Sequence, residues 1–87
     1  MKFMVTYTIK PENYKATMAR FKKTGAIPPK GVNLLGRWTR PDLRGGFALL
    51  ETDDATALTG FLMQWADLVE QMTVPVVEDE QIKKNLR

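Results

Sequence analysis

The amino-acid sequence predicts an α+β domain whose elements follow the order βαββαβ. Segments rich in β-branched and aromatic residues alternate with segments whose apolar residues recur at helical spacing. Glycine and proline fall between these segments, where the chain needs turns. With 87 residues the chain makes one domain. Its core is thin, because a domain of this size buries only about 60% of its unfolded surface.

The N-terminal part predicts one strand and one helix. Residues 2–9 are rich in Phe, Val, Tyr, Ile and Thr, which favour a strand. Tyr14, Met18 and Phe21 then recur at i, i+4 and i+7, the spacing of one helix face. Gly25 is placed to end that helix, since glycine readily adopts the left-handed conformation of a helix C-cap.

The middle of the chain predicts a β-hairpin. Residues 27–31 include two adjacent prolines and form a loop. Residues 32–40 and 47–52 are the second and third strands, and the Gly- and Pro-containing segment 41–46 is the turn between them.

The last two regular elements of the sheet domain are a helix and a fourth strand. Asp53 and Asp54 start the helix, because acidic side chains cap and neutralise its positive end. An apolar stripe extends this helix to about residue 68; its members are Leu58, Phe61, Leu62, Trp65 and Leu68. Residues 71–77 form the fourth strand, and Pro75 places it at an edge of the sheet. The complete order is the ferredoxin-like arrangement, a four-stranded antiparallel sheet with both helices on one face.

Both faces of this sheet are apolar in part. In the third strand Phe47 and Leu49 point one way and Ala48 and Leu50 the other, so the strand lacks the polar alternation of a sheet with one wet face. In the second strand, alternation puts Val32, Leu34 and Trp38 opposite Leu35. Two helices cover only one face, and large exposed apolar patches mark interfaces. The pattern therefore predicts a homodimer that pairs sheet against sheet under two-fold symmetry.

The sequence divides into a domain over residues 1–77 and a C-terminal tail over residues 78–87. In the tail, acidic residues precede basic ones with i, i+4 spacing, which favours a short helix. Ile82 and Leu86 give this helix a narrow apolar edge. Because ten residues are marginal as an isolated helix, we expect the edge to dock on this subunit or on its partner.

Several segments together resemble a family of short bacterial proteins known as domain of unknown function 3303. They are MKFMV at residues 1–5, GFALLETDD at 46–54, WADL at 65–68 and VPVV at 74–77, together with Trp38. The resemblance spans most of residues 1–77 and leaves the tail outside. It implies the fold of the dimeric α/β-barrel superfamily, with a homodimer, and it implies no particular activity.

The wider superfamily includes cofactor-free monooxygenases, haem-degrading enzymes, lactone isomerases and stress-response proteins, which hold ligands between the sheet and its helices or loops. The resemblance thus implies a cavity for a small organic molecule beside the sheet. This chain has no histidine, so it departs from the members whose chemistry depends on that residue. Haem ligation by histidine and His–Asp acid–base catalysis are outside its reach.

Five residues are candidates for a ligand site. Tyr7, Trp38 and Trp65 combine an aromatic body with a polar tip, which suits small-molecule pockets, although packing in a thin core explains tryptophan equally well. Arg37 would hold a carboxylate ligand or form a salt bridge. Glu51 is the one candidate catalytic group, because a carboxylate in an apolar layer can act as acid or base. The alternative for Glu51 is a strand-end residue paired with Arg37 or another base.

Composition excludes several classes of function. The chain has no cysteine and no histidine, so it has no disulfide and no Cys or His metal site, and we expect no metal and no cofactor. The N-terminus lacks the apolar run of a signal peptide, and no stretch approaches the ~20 apolar residues of a membrane span. We therefore expect a cytoplasmic protein without a membrane partner.

Nucleic acid is a disfavoured partner. The net charge of +3 is compatible with RNA, but the basic residues are scattered. The third strand matches the motif of RNA-recognition modules only partly, because Leu49 stands where a second aromatic residue would stack on a base. The sequence favours a dimer with a small-ligand cavity. A cofactor-free monooxygenase or isomerase and a non-enzymatic regulatory dimer are its alternatives, and whether a reaction is catalysed stays open.

Overall fold

The computed structural model describes residues 1–86 as a four-stranded antiparallel sheet with two helices on one face. The strands are β1 (Lys2–Ile9), β2 (Asn33–Thr39), β3 (Gly45–Glu51) and β4 (Val69–Val76), in the spatial order β2-β3-β1-β4. The helices are α1 (Tyr14–Thr24), α2 (Ala55–Met63) and α3 (Asp79–Lys83). The predicted ferredoxin-like topology is confirmed, and β4 lies at an edge as Pro75 indicated.

Local signals in the sequence explain where α1 ends and where α2 begins. Gly25 caps α1 in the left-handed conformation with a φ of 71°, and its N–H donates to the Phe21 carbonyl. Asp54 caps α2, because its carboxylate accepts a hydrogen bond of 3.0 Å from the N–H of Ala57. Among residues 1–86, no helix has both the length and the apolar character that crossing a membrane requires.

The second helix is shorter and the fourth strand starts earlier than predicted. The apolar stripe continues to Leu68, but α2 ends at Met63 and residues 64–68 form tight turns. In these turns Trp65 N–H donates to Leu62 and Leu68 N–H donates to Trp65, which is three-residue rather than four-residue spacing. The tighter turns reverse the chain direction in few residues, so that β4 begins at Val69.

The hydrophobic core lies between the sheet and the helices. Val5 and Leu50 on the two central strands are 3% and 0% exposed, and Leu58 and Phe61 of α2 cover them. Ala48 completes the floor of this core. The other face of the sheet has no covering layer among residues 1–86, and Phe47 on the same strand is 44% exposed. The chain thus forms two layers, with the Cα atoms spanning 51 × 28 × 16 Å.

Strand β2 contains an irregularity that changes which side chains face the core. Leu34 pairs with Leu50, and Gly36 pairs with Leu49, so Leu35 is an extra residue without a partner on β3. Past this bulge the alternation is shifted by one position. Trp38 pairs with exposed Phe47 and shares its face. The prediction that Trp38 shares a face with Leu34 is therefore wrong.

The predicted C-terminal helix is present as α3 over Asp79–Lys83, and Arg87, the last residue of the tail, lies outside the described residues. A reciprocal capping box between Glu78 and Gln81 starts the helix. Lys2 of β1 donates a hydrogen bond to the Glu78 carboxylate, which ties the start of the tail to the sheet. Ile82 and Leu86 remain 47% and 69% exposed, so residues 1–86 leave the apolar edge of α3 largely uncovered.

Candidate functional site

A cavity of about 270 Å³ lies between the sheet and the two helices, and it is partly open to solvent. Its floor is the helix-covered face of the four strands, and α1, α2 and the turns after α2 form the opposite wall. Most lining side chains are apolar; they include Val5, Ile9, Met18, Phe21, Leu34, Leu50, Phe61, Leu62 and Trp65. No Asp or Glu of the described residues lines it. The cavity therefore suits an apolar body of small size.

Arg37 is the charged residue on the cavity floor. Its guanidinium donates hydrogen bonds of 2.8 and 3.0 Å to the carbonyls of Ala26 and Gly25, at the C-terminal end of α1. It also lies 5.1 Å from the ring centre of Phe21. The bulge in β2 brings Arg37 to this face, because it pairs with buried Ala48. These contacts hold the cation at the wall between β2 and α1.

Tyr7 brings a hydroxyl group to the same side of the cavity. Its side chain extends from β1 over Gly46 of β3, where a Cβ atom would lie only 2.4 Å from the Tyr7 hydroxyl oxygen. The hydroxyl then lies 3.2 Å from the Thr39 Oγ1 of β2. Glycine at position 46 is required for this crossing, because any side chain there would collide with Tyr7. Tyr7, Thr39 and Arg37 thus converge at the β2 side of the floor.

Trp65 lines the wall opposite the sheet, and Arg20 of α1 positions it through contacts with the turns after α2. Arg20 donates two hydrogen bonds of 2.8 Å to the two carboxylate oxygens of Asp67. The same guanidinium donates to the Gln64 carbonyl and lies 5.5 Å from the centre of the Trp65 ring. The Arg20 hydrogen bonds lower the pKa of Asp67, and the same contact raises the pKa of Arg20. Asp67 acts as a structural partner of Arg20.

Trp38 and Glu51 do not line this cavity, although the sequence grouped them with the other three candidates. Trp38 lies on the opposite face because of the bulge, with its ring over Gly36. Glu51 shares that face with Phe47 and Leu49, as strand alternation predicted. The structure thus unites Tyr7, Arg37 and Trp65, and separates them from Trp38 and Glu51 by the thickness of the sheet.

The basic neighbour of Glu51 is Lys2 and not Arg37. Arg37 lies on the other side of the sheet, so the two residues form no ion pair. Glu51 pairs across the strands with Lys2. The Lys2 ammonium donates to Glu78, which raises the pKa of Lys2, and the nearby charge of Glu51 adds a smaller rise in the same direction. Glu51 belongs to the polar rim of the uncovered face.

The centre of the uncovered face is an apolar band that has members on all four strands and is interrupted by Thr6, which lies between Phe47 and Met72. One row pairs Leu49 with Met4 and Met4 with Val74, and the next row pairs Trp38 with Phe47. We define the apolar band by six residues: Met4, Trp38, Phe47, Leu49, Met72 and Val74. Trp38 and Met72 are 57% and 68% exposed. Charged side chains flank the band on both sides, with Lys2 and Glu51 in one flanking row and Glu70 in the other.

The family model described as "Domain of unknown function (DUF3303)" matches residues 1–87. The chain belongs to this family. The match extends through the C-terminal tail, so the prediction that the resemblance leaves the tail outside is wrong. Membership of DUF3303 confirms the resemblance seen in the segments around Trp38 and residues 46–54.

The fold of this DUF3303 chain is similar to a solved structure described as "Structure of Rv0793 from Mycobacterium tuberculosis". The TM-score is 0.53 at 12% sequence identity, and the alignment covers 90% of this chain and 95% of that one. At this identity the similarity shows the fold alone, which is the ferredoxin-like arrangement of one four-stranded sheet and its helices. No curated protein matches the sequence.

Several cavity residues of this DUF3303 chain were not predicted. Across the strands, Thr39 pairs with Gly46, Gly46 with Tyr7 and Tyr7 with Gln71. Thr39, Tyr7 and Gln71 therefore lie in one polar row across the cavity floor. Leu43 reaches the cavity from the β2–β3 turn, where its φ is 62°. Gly36 is the sequence signal from which the bulge in β2 can be predicted, because an isolated glycine within a strand pattern indicates a bulge. Among residues 1–86, no group of three or more carboxylates is placed to hold a metal ion.

Proposed function

We propose that this protein is a homodimer that binds a small organic molecule in the cavity between its sheet and its helices. The cavity is the single observation that carries the ligand-binding part of this proposal. Its volume of about 270 Å³ is close to the lower end of the roughly 300–1,000 Å³ range of ligand pockets. A mostly apolar lining with a few convergent polar groups, here Tyr7, Thr39 and Arg37, is the usual composition of such pockets.

The energetics of an empty cavity support the same proposal. At about 24 cal/mol per Å³, a fully enclosed apolar cavity of about 270 Å³ would lower stability by about 6.5 kcal/mol, and the partly open cavity costs less than that. A ligand that fills the space replaces water against the apolar lining and adds van der Waals contacts that the open cavity lacks.

Binding is favoured over acid–base catalysis by the chemistry of the lining. An acid–base enzyme would place a carboxylate in an enclosed pocket, and the candidate for that role is Glu51. Glu51 lies on the other face of the sheet, and the lining residues that the structure describes include no Asp or Glu. A monooxygenase or isomerase activity would therefore depend on Tyr7, Thr39 or the bound molecule itself.

The cavity proposal is tested with 1-octanol, a neutral probe of suitable size, and with a variant that fills the floor. Ala48 is 7% exposed and lines the cavity, so Ala48→Leu places a larger apolar side chain in the empty space. We expect Ala48→Leu to keep or raise the Tm without probe and to weaken 1-octanol binding at least tenfold in isothermal titration calorimetry.

Ala19→Leu is the matched control, because Ala19 lies on the exposed surface of α1. This control should bind 1-octanol as the wild type does. If the wild type shows no binding of 1-octanol and no shift in Tm with it, the cavity is not a site for small apolar molecules.

The dimer proposal depends on the apolar band. Its centre is apolar and its flanking rows are charged, which is the anatomy of a protein interface. The shape of the chain agrees: the radius of gyration is 14.4 Å, against about 12 Å for a compact domain of this length. A second copy, sheet against sheet, would turn two thin layers into four and cover the band.

Sedimentation equilibrium at micromolar concentration tests the dimer directly. We expect a mass of twice 9.9 kDa. A single species of 9.9 kDa would overturn the proposal and leave the band to another partner. Single-stranded RNA is the alternative occupant to examine in that event, because Phe47 and Trp38 offer aromatic faces on this side of the sheet.

A further inference from the structure

The polar groups of the cavity are concentrated at one end, and this distribution specifies the ligand further. Arg37 and Thr39 lie two residues apart on β2 and both face the cavity. The Tyr7 hydroxyl joins them, 3.2 Å from the Thr39 Oγ1. Leu50, Phe61 and Leu62 line the cavity away from these groups, toward the centre of the core. The site therefore has a polar end and an apolar end.

The charge of Arg37 is not neutralised by a side chain of residues 1–86. The ion pairs of this part of the chain all involve other groups. Arg37 donates to two backbone carbonyls and stacks on Phe21, which together orient the guanidinium without cancelling its charge. A guanidinium has five N–H donors, so three remain available on a partly buried cation beside an apolar space. A cation in such surroundings favours an anionic partner.

We propose that the ligand is a small monocarboxylic acid whose carboxylate binds Arg37 and whose apolar body lies against Phe61, Leu62 and Trp65. This inference rests on the proposed function, that the cavity binds a small molecule. The planar guanidinium matches a carboxylate in a bidentate arrangement. The Tyr7 hydroxyl donates to the Trp38 carbonyl, so the neighbouring Thr39 hydroxyl is the group that supplies a further donor. One cation neutralises one negative charge, which favours a carboxylate over a phosphate dianion.

The test compares three probes that each have eight carbon atoms and differ in the head group and its charge. They are octanoate, 1-octanol and octylammonium, and their affinities for the wild-type protein are measured by isothermal titration calorimetry. We expect octanoate to bind at least tenfold more tightly than 1-octanol, since a charge-assisted hydrogen bond contributes that much or more. Octylammonium should bind more weakly than 1-octanol, because it places a like charge beside Arg37.

A pair of arginine variants assigns this selectivity to one residue. Arg37→Gln should lower octanoate affinity at least tenfold and change 1-octanol affinity by less than about threefold. Arg40→Gln is the matched control, because Arg40 follows β2 but forms its ion pair with Asp42 outside the cavity. The control should keep the wild-type preference for octanoate.

The outcomes separate this inference from the function on which it rests. If octanoate and 1-octanol bind the wild type equally well, the cavity binds apolar molecules without recognising an anion, and only the present inference fails. If no probe binds, the proposed function fails as well. The comparison of octanoate with 1-octanol on the wild-type protein tests anion recognition even if Arg37→Gln does not fold.

Discussion

At the scale of single residues, the walls of the cavity are held by contacts that tolerate little change. The Arg20–Asp67 pair connects α1 to the turns after α2 through two parallel hydrogen bonds, and Arg20 also supports Trp65. Bidentate geometry of this kind is specific to arginine, so lysine would not replace it. Together these contacts fix the distance between the two helices across the cavity.

The Arg20–Asp67 pair makes stability depend on pH in a definite direction. The pKa of Asp67 is lowered in the folded protein by the hydrogen bonds from Arg20. Its contribution to stability is therefore fully present above about pH 4, the usual value for an unfolded aspartate, and is lost as the pH falls through the lowered folded value. We expect Asp67→Asn to be less stable than the wild type in urea denaturation at pH 7, with the difference shrinking below about pH 4.

Glu12→Gln is the control for this experiment, since Glu12 forms no ion pair with residues 1–86. It should follow the wild type at each pH. A difference between Asp67→Asn and the wild type that is the same at pH 7 and at pH 3 would show that the carboxylate charge is not the cause.

At the scale of elements, the bulge in β2 decides what each face of the sheet presents. It directs Arg37 to the cavity and Trp38 to the apolar band. Gly36 is part of this arrangement, because a Cβ at this position would lie 2.5 Å from the Trp38 ring. The absence of a side chain at Gly36 lets the indole lie flat on the sheet.

Two glycine-to-alanine changes test the role of Gly36. Gly36→Ala must displace the Trp38 ring, so we expect weaker self-association and a lower Tm. Gly60→Ala is the matched change within α2, where a Cβ would have nothing within 4 Å. It should raise stability by about 0.5–1 kcal/mol, because alanine favours the helix. Equal effects of the two changes on sedimentation equilibrium and thermal denaturation would contradict the role assigned to Gly36.

Much of the element order could be predicted from sequence, and the site only in part. Period-two and helical patterns predict β1, α1 and the hairpin, because these depend on neighbouring residues. The bulge at Leu35 depends on how β2 pairs with β3, and strict alternation therefore gave Trp38 the wrong face. In the turns after α2 the apolar residues keep the spacing of an α-helix, although the backbone hydrogen bonds are not those of an α-helix. The sequence pattern therefore predicted a longer helix. The convergence of Tyr7 with Thr39 across Gly46 requires strand register, which a single sequence does not supply.

At the scale of the whole molecule, one sheet separates two surfaces of different shape and composition. The cavity occupies one face and the apolar band the other, and the charged rows at the rim confine the band to the middle of the sheet. Association through the band would add its stability to that of the subunit, so the Tm would rise with protein concentration.

A charge in the middle of the band tests association through this face. Phe47→Lys should shift the sedimentation equilibrium toward a 9.9 kDa species and remove the dependence of Tm on concentration. Met63→Lys is the control, because Met63 is 69% exposed at the end of α2, on the helical side. Dissociation by Met63→Lys but not by Phe47→Lys would place the interface on the helices instead.

The alternation of roles along each strand limits how the sequence of this domain can vary. Odd and even positions of β3 face opposite sides, so a substitution at Leu50 alters the cavity and one at Leu49 alters the apolar band. Either surface is therefore free to diverge by substitution without disturbing the other. Inserting or deleting one residue inside a strand would instead exchange the two sets of side chains beyond that point. Related chains should thus differ in length at their turns, and within strands only where a compensating bulge restores the alternation.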